Sequence, residues 1–157
     1  MAFYDSSKAD RERIVERIFQ DILLDLKNNQ SVNSLTYFND IDTYIRKSAC
    51  EAIGKIYFDE EKLRSRILHF LAFFIQNVDF RVRQTVINAA GEIGKKDFGS
   101  VEHLFEIGLF DSHHSPRNAV IGSIKKMGEV YPEPVLEWVK SIYIILIRRS
   151  EGRYVMG

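Results

Sequence analysis

The sequence has little cysteine, little proline and no excess of either charge. Cys50 is the only cysteine among the 157 residues, which excludes an internal disulfide and any cysteine-rich zinc site. All three prolines lie at position 116 or later, so the first two thirds of the chain is free to form long helices. Lys plus Arg and Asp plus Glu both number 22, so the chain as a whole lacks the basic excess that is typical of nucleic-acid binders.

The sequence also lacks a long apolar run. No segment approaches the ~20 apolar residues that a membrane-spanning helix requires, and the first residues contain no apolar core of signal-peptide length. We therefore expect a cytoplasmic protein that does not bind membranes. Its length of 157 residues and its hydrophobic fraction of 45% are those of a single globular domain, which we expect to span residues 1–157.

What the chain does contain is apolar residues at helical spacing. Between about residues 7 and 28, Ile14, Ile18 and Ile22 lie on one stripe of a helix. Ser7 begins this segment and Asp10 follows three residues later, which is a pattern typical of a helix amino terminus. Later segments have the same period, and none of them alternates as a strand would. The sequence therefore predicts an all-α protein.

Three segments repeat one pattern of residues. In the first two, an aspartate (Asp42 or Asp79) precedes an arginine by four residues, and small residues, glycine and isoleucine follow in register. The third segment begins at Pro116 and preserves the arginine. The three arginines, which are 37 and 34 residues apart, are Arg46, Arg83 and Arg117. A period of this length indicates stacked helical hairpins, because one hairpin alone cannot bury its apolar face.

The pattern resembles the HEAT-repeat family, whose first helix typically reads Asp, then Val or Ile with Arg, then spaced Ala and Leu. The resemblance implies a right-handed α-α superhelix of about three HEAT-like helical hairpins, preceded by an N-terminal helix. The hairpins would cover about residues 42–77, 79–110 and 115–149. In the third hairpin His113 stands where the other two have Asp, and Asp111 lies two residues earlier, so its turn is expected to differ.

Two features of the repeat predict how neighbouring helices meet. Asp79 can accept hydrogen bonds from the first amides of its helix. Alternatively, it can pair with the arginine of a neighbouring repeat, and Arg83 would then belong to a ladder along the stack. Gly54, Gly91 and Gly122 would each cost ~1 kcal/mol in a helix interior, so we predict that they lie at close helix contacts or at helix ends.

No constellation of residues points to catalysis or to a bound metal. His113 and His114 are adjacent in a turn, and no further Cys or His is spaced to complete a set of zinc ligands. Cys50 lies beside small apolar residues, where a buried side chain is a better interpretation than a nucleophile. We predict no catalytic residue, no metal site and no cofactor, and an enzyme is the less favoured interpretation.

The resemblance to HEAT repeats also implies where a partner binds. The second helices of such stacks line the concave surface, and in this chain they carry basic residues among several glutamates. The partner-binding residues predicted on this basis are Arg64, Arg66, His69, His103 and Lys140. The predicted function is a non-catalytic protein-interaction or scaffold module. The alternative is a nucleic-acid-binding protein related to the HEAT-like DNA alkylation repair glycosylases, which hold duplex DNA in a basic concavity.

The last helix contains the strongest indication of an interface. Residues 142–147 are consecutive apolar residues, which is more than one face of a terminal helix needs. A repeat stack requires a polar outer face on its last repeat. We therefore expect that residues 148–157 fold back over this patch, that the native chain continues into a further repeat, or that a partner covers it. An uncovered patch here is a predicted association surface. We assign this surface to Ile144, Ile145 and Ile147, with another protein or a second copy of the chain as the partner.

Overall fold

The computed structural model describes residues 2–155, with side chains described as far as residue 152. These residues form eight α-helices and two short 3₁₀ helices, and no strand occurs among them. The all-α prediction is confirmed, and the predicted N-terminal helix is present. Ser7 caps that helix, because its hydroxyl oxygen accepts a hydrogen bond from the Asp10 backbone N–H at 3.2 Å.

Short connections separate the helices. The helices are α1 (Lys8–Lys27), α2 (Val32–Phe38), α3 (Thr43–Asp59), α4 (Arg64–Phe74), α5 (Phe80–Gly94), α6 (Glu102–Leu109), α7 (His114–Val130) and α8 (Pro132–Val155). The 3₁₀ helices are Phe3–Asp5 and Glu61–Leu63. Only Tyr131 separates α7 from α8, because Pro132 has no backbone N–H with which to continue α7.

The helices pack in two rows. In the first row, α1, α3, α5 and α7 contact one another in chain order. The second row contains α2, α4, α6 and α8, each of which packs against at least one first-row helix. Within the second row, the Phe38 ring of α2 contacts the Phe70 ring of α4, and the Trp138 ring of α8 contacts the Phe105 ring of α6. Both rows contribute buried side chains to one hydrophobic core.

The turns that lead into α3, α5 and α7 are built in the same way. In each turn the N-cap side chain accepts a hydrogen bond from the backbone N–H two residues later, and the N-cap N–H donates to the side chain two residues earlier. The arginine four residues after the N-cap donates from Nη1 to the carbonyl oxygen at the start of the turn, at 2.5, 2.8 and 2.7 Å. The participating residues are Asp40, Asp42, Tyr44 and Arg46; Asn77, Asp79, Arg81 and Arg83; and Asp111, His113, Ser115 and Arg117.

The prediction that the third turn differs from the other two is wrong. The His113 Nδ1 atom accepts the hydrogen bond from the Ser115 N–H at 3.0 Å, as the carboxylates of Asp42 and Asp79 do in the other turns. A neutral imidazole can replace a carboxylate here because one of its ring nitrogens is an acceptor. Desolvation lowers the pKa of His113 and so favours the neutral form. The ring also stacks on Phe80, with the two ring centres 3.9 Å apart.

One arginine of the repeat joins two successive turns. Arg83 donates from Nε and Nη2 to the two carboxylate oxygens of Asp111, at 2.8 and 3.0 Å, and both side chains are largely shielded from solvent. A contact between repeats is therefore present, but its acid is Asp111, whereas Asp79 caps α5. Among the described residues Arg46 forms no equivalent ion pair, because the position that corresponds to Asp111 in the next turn is the uncharged Asn77.

Two of the three glycines lie at the predicted close contacts. A Cβ atom added at Gly54 would lie 2.7 Å from the Cβ of Glu92, and one added at Gly91 would lie 2.7 Å from the Oγ of Ser123. Gly54 and Gly91 occupy the same position in successive repeats, where they allow α3 to approach α5 and α5 to approach α7. The prediction for Gly122 is wrong, because a Cβ added there would meet no atom within 4 Å beyond the backbone of its own helix, and the residue is inside α7.

Candidate functional site

The second row carries a groove between the end of α1 and the surface of α4. The groove encloses about 240 Å³ and is lined by His69 and by Phe73, whose side chain is 75% exposed. Arg66 also lines it, but the Arg66 Nη1 atom donates to the carbonyl oxygens of Leu26 and Lys27 at 3.0 and 2.8 Å. The last carbonyls of a helix have no partner within that helix. Arg66 therefore fastens α4 to α1, and His69 and Phe73 are available to a partner.

Arg64 lies at the junction of α3 and α4 rather than on an open surface. Its Nε donates to the Tyr57 carbonyl oxygen at 2.8 Å, and its guanidinium carbon lies 5.1 Å from the centre of the Tyr57 ring. The Tyr57 hydroxyl donates to Asp97 at 2.5 Å, and Ser100 donates to the same carboxylate. Burial alone would raise the pKa of Asp97, but these hydrogen bonds outweigh it and lower the pKa. The cluster joins α3 to the connection between α5 and α6.

A second groove lies between α6 and α8. It encloses about 390 Å³, and the buried side chains of Phe98 and Trp138 form part of its wall. His103 lines this groove and is exposed. The other ionisable residues that line it are Glu102, Glu106 and Glu137. The groove is therefore acidic, although its helices belong to the surface on which we predicted a basic binding site.

The last helix exposes an apolar stripe. The exposed apolar residues between its start and residue 146 include Leu136, Val139, Tyr143 and Leu146. Of the three isoleucines that we predicted at an association surface, Ile144 and Ile147 are exposed and lie beside this stripe. Ile145 is partly buried against the hydrophobic core, so it does not belong to the exposed surface. Lys140 is exposed on the same helix.

The five predicted partner-binding residues do not converge on one site. Arg66 and His69 share the groove at α1 and α4, whereas His103 lies in the groove at α6 and α8. Arg64 is engaged at the junction of α3 and α4, and Lys140 is on the exposed surface of α8.

Two features of these surfaces were missed from the sequence. Phe73 lies outside the apolar stripe of α4, and this was the available signal that its side chain is exposed. Glu102 and Glu106 are one helical turn apart and could have been paired from their spacing. The approach of Glu137 to them depends on how α8 packs against α6, which the sequence does not reveal.

Among the described residues, no group of three or more His, Cys, Asp or Glu side chains is placed to hold a metal ion. Cys50 is buried with its Sγ atom 3.3 Å from the Thr85 carbonyl oxygen, and burial raises the pKa of its thiol far above the usual range, which disfavours the reactive thiolate. None of the helices in this part of the chain is long and apolar enough to cross a membrane.

Comparisons with known proteins give no match. The chain matches no protein-family model, no curated protein and no solved structure.

Proposed function

We propose that the chain is a HEAT-like α-solenoid that acts as a non-catalytic protein-interaction or scaffold module. The common construction of the turns into α3, α5 and α7 supports a structural repeat. The close contacts at Gly54 and Gly91 support a stack in which successive first-row helices meet at the same position of the repeat. A right-handed superhelix of three hairpins, with α1 and α2 before them, accounts for both features. In such a stack the second row forms one continuous face, on which a partner docks.

The observation that carries this function is the apolar stripe on α8. Leu136, Val139, Tyr143 and Leu146 are spaced three, four and three residues apart, which is the heptad spacing of helices that pair through an apolar seam. In a helix that packs on a core, such a stripe faces the core. In α8 the core-facing stripe is a different one, which contains Trp138. A partner helix with the same spacing would cover the exposed stripe.

The charges of α8 favour a second copy of the chain as that partner. Glu133 and Glu137 lie toward the start of the helix and Arg148 lies toward its end, and all three are exposed. If two copies of α8 pair in antiparallel orientation, the acidic start of each copy lies near the basic end of the other. In parallel orientation the like charges would lie together. Complementary charge along an interface favours one orientation in this way.

Light scattering at rising protein concentration tests this proposal. The Tyr143→Glu/Leu146→Glu variant places two charges in the stripe, and we expect it to convert a dimer into a folded monomer. The matched control is Ile41→Glu/Val78→Glu, which changes two exposed apolar residues in turns and should leave the dimer intact. A wild-type mass of one chain at every concentration would contradict self-association through α8.

For a different protein partner, the second row offers other contacts. Phe73 and His69 present an exposed aromatic group beside a groove, and aromatic residues are enriched at the centres of protein interfaces. The nucleic-acid alternative has weaker support, because the glutamates of the groove between α6 and α8 would repel phosphates. It would gain support if duplex DNA bound with a steep salt dependence and if substitution of His69 and Lys140 abolished that binding.

A further inference from the structure

A third groove crosses the first row. It encloses about 180 Å³ and is lined by α3, α5, α7 and the residue that follows α5. Gly91 and Ser123 contribute to its floor, and the missing side chain of Gly91 keeps the two helices close together at this point. The polar side chains of the groove that could contact a ligand include Arg46, Lys47, Gln84, Asn88, Lys95 and Lys126.

Positive charge reaches this groove from all three helices. Lys47 belongs to α3, Lys95 follows α5, and Lys126 belongs to α7. The carboxylate that lines the groove, that of Glu92, is already paired with Lys95 at 2.9 Å. Among the described residues, Lys47 and Lys126 form no ion pair, and both are exposed. These two lysines therefore supply charge that nothing in the groove neutralises.

Two amide side chains lie between these lysines. Gln84 and Asn88 are one helical turn apart on α5, and α5 lies between α3 and α7 in the first row. Within the described part of the chain, neither amide side chain has a hydrogen-bond partner. Each amide offers both a donor and an acceptor, which complements the backbone peptide group of a bound segment. A phosphate group offers acceptors alone.

We propose that the groove across the first row binds an acidic segment of a partner protein. Carboxylates of the segment lie beside Lys47 and Lys126, and its backbone forms hydrogen bonds with Gln84 and Asn88. A duplex nucleic acid is a poorer match, because binders with about 6–10 phosphate contacts neutralise far more charge than two unpaired lysines can. The chain as a whole has a formal net charge of zero, so it lacks the overall basic excess that is typical of nucleic-acid binders. This site is on the other row from the α8 stripe, so the two proposals can fail independently.

Selection of a random-peptide display library against the full chain tests the proposal without a known ligand. We expect the selected peptides to be enriched in Asp and Glu. One selected peptide is then titrated by fluorescence anisotropy. Against the Lys47→Glu/Lys126→Glu variant its affinity should fall by about tenfold or more, because two attractive charges become repulsive. The Gln84→Ala/Asn88→Ala variant should weaken binding by a smaller factor and leave its salt dependence unchanged, since it removes no charge.

The matched control reverses two exposed lysines outside the groove. Lys8→Glu/Lys62→Glu should retain the wild-type affinity for the peptide, and circular dichroism shows whether each variant is folded. The proposal is overturned if acidic peptides are not enriched, or if both lysine pairs reduce the affinity equally. It is also overturned if duplex DNA binds more tightly than the selected peptide and loses that binding in the Lys47→Glu/Lys126→Glu variant, because the groove would then be a nucleic-acid site.

Discussion

Helices α5 and α7 occupy equivalent places in successive repeats but have different surroundings. First-row helices cover α5 on both sides, whereas among the described residues α5 is the one first-row helix that packs extensively against α7. Ile87 in α5 is fully buried, and Ile121, its equivalent in α7, is 63% exposed. One position of the repeat is thus core in one helix and surface in the next. Neighbouring helices, rather than the residue type, decide which.

Lys125 makes the outer side of α7 different in a second way. It occupies the position that Gly54 has in α3 and Gly91 has in α5, and at both glycines an added Cβ would clash with the next helix. Lys125 is exposed, and its side chain would hold any further helix away from this register. The close contact that builds the first row therefore cannot be repeated on the outer side of α7.

The comparison between Ile87 and Ile121 predicts the largest difference in the free energy of unfolding. Ile87→Ala should lower the free energy of unfolding by about 3 kcal/mol, because it leaves a cavity in the packed core. Ile121→Ala makes the same chemical change at an exposed site and should cost about 0.5 kcal/mol or less. Urea denaturation of the two variants and the wild-type protein measures both values. Equal losses would show that α7 is covered as α5 is.

A comparison of Arg83 with Arg46 predicts an intermediate effect. Arg83→Ala should lower the free energy of unfolding by about 1–2 kcal/mol, because it leaves the shielded carboxylate of Asp111 without its partner. Arg46→Ala removes the equivalent turn contact without breaking an ion pair, and its cost should be smaller. Thermal melting of the two variants under the same conditions shows which substitution causes the larger loss of stability. A larger loss for Arg46→Ala would contradict the assignment of Asp111 as the residue that joins two repeats.

A comparison of the third turn with the first predicts the smallest effect, which depends on pH. Because the pKa of His113 is lowered in the folded protein, the folded state binds fewer protons at this residue than the unfolded state. Its contribution to stability is therefore complete above the unfolded pKa of about 6.5 and is lost as the pH falls through the folded pKa.

The melting temperature should accordingly fall as the pH is lowered from about 6.5, the unfolded pKa, toward 5. The control for this prediction is His113→Asp, which reproduces the Asp40-Ile41-Asp42 arrangement of the first turn with an acceptor that stays ionised over this range. The melting temperature of this variant should fall by less than that of the wild-type protein over the same pH range. An identical decrease in both proteins would mean that His113 does not cap α7 as a neutral group.

Features that depend on neighbours in the sequence were predicted well. Ser7 caps α1 through an amide three residues away, so its residue type and spacing sufficed, and capping was one of the two roles expected for Asp79. The same holds for the all-α class, which follows from a local apolar period.

Most features that depend on distant partners were not predicted, although the close contacts at Gly54 and Gly91 were. The carbonyl partners of Arg66 lie about 40 residues earlier in the chain, so nothing near Arg66 indicates that its guanidinium is already engaged. Asp111 lies 28 residues beyond Arg83, and its role in the ion pair became visible only from the packing of the repeats. Gly122 does not occupy the repeat position of Gly91, which in the third segment is held by Lys125, three residues later.

A disulfide between α5 and α7 is the most direct test of the stacked repeat. A Cβ added at Gly91 would lie 3.0 Å from the Cβ of Ser123, so a small shift brings the pair to the separation of about 3.5–4.5 Å that a disulfide requires. The measurement is the oxidation state, by mass spectrometry, of a Gly91→Cys/Ser123→Cys protein that also carries Cys50→Ala. The matched control is a Gly91→Cys/Gly122→Cys protein with the same Cys50→Ala change. A side chain at position 122 points away from α5, so this second cysteine cannot reach the first. The account predicts an intrachain disulfide in the first protein and free thiols in the control, and free thiols in both would contradict the stacked repeat.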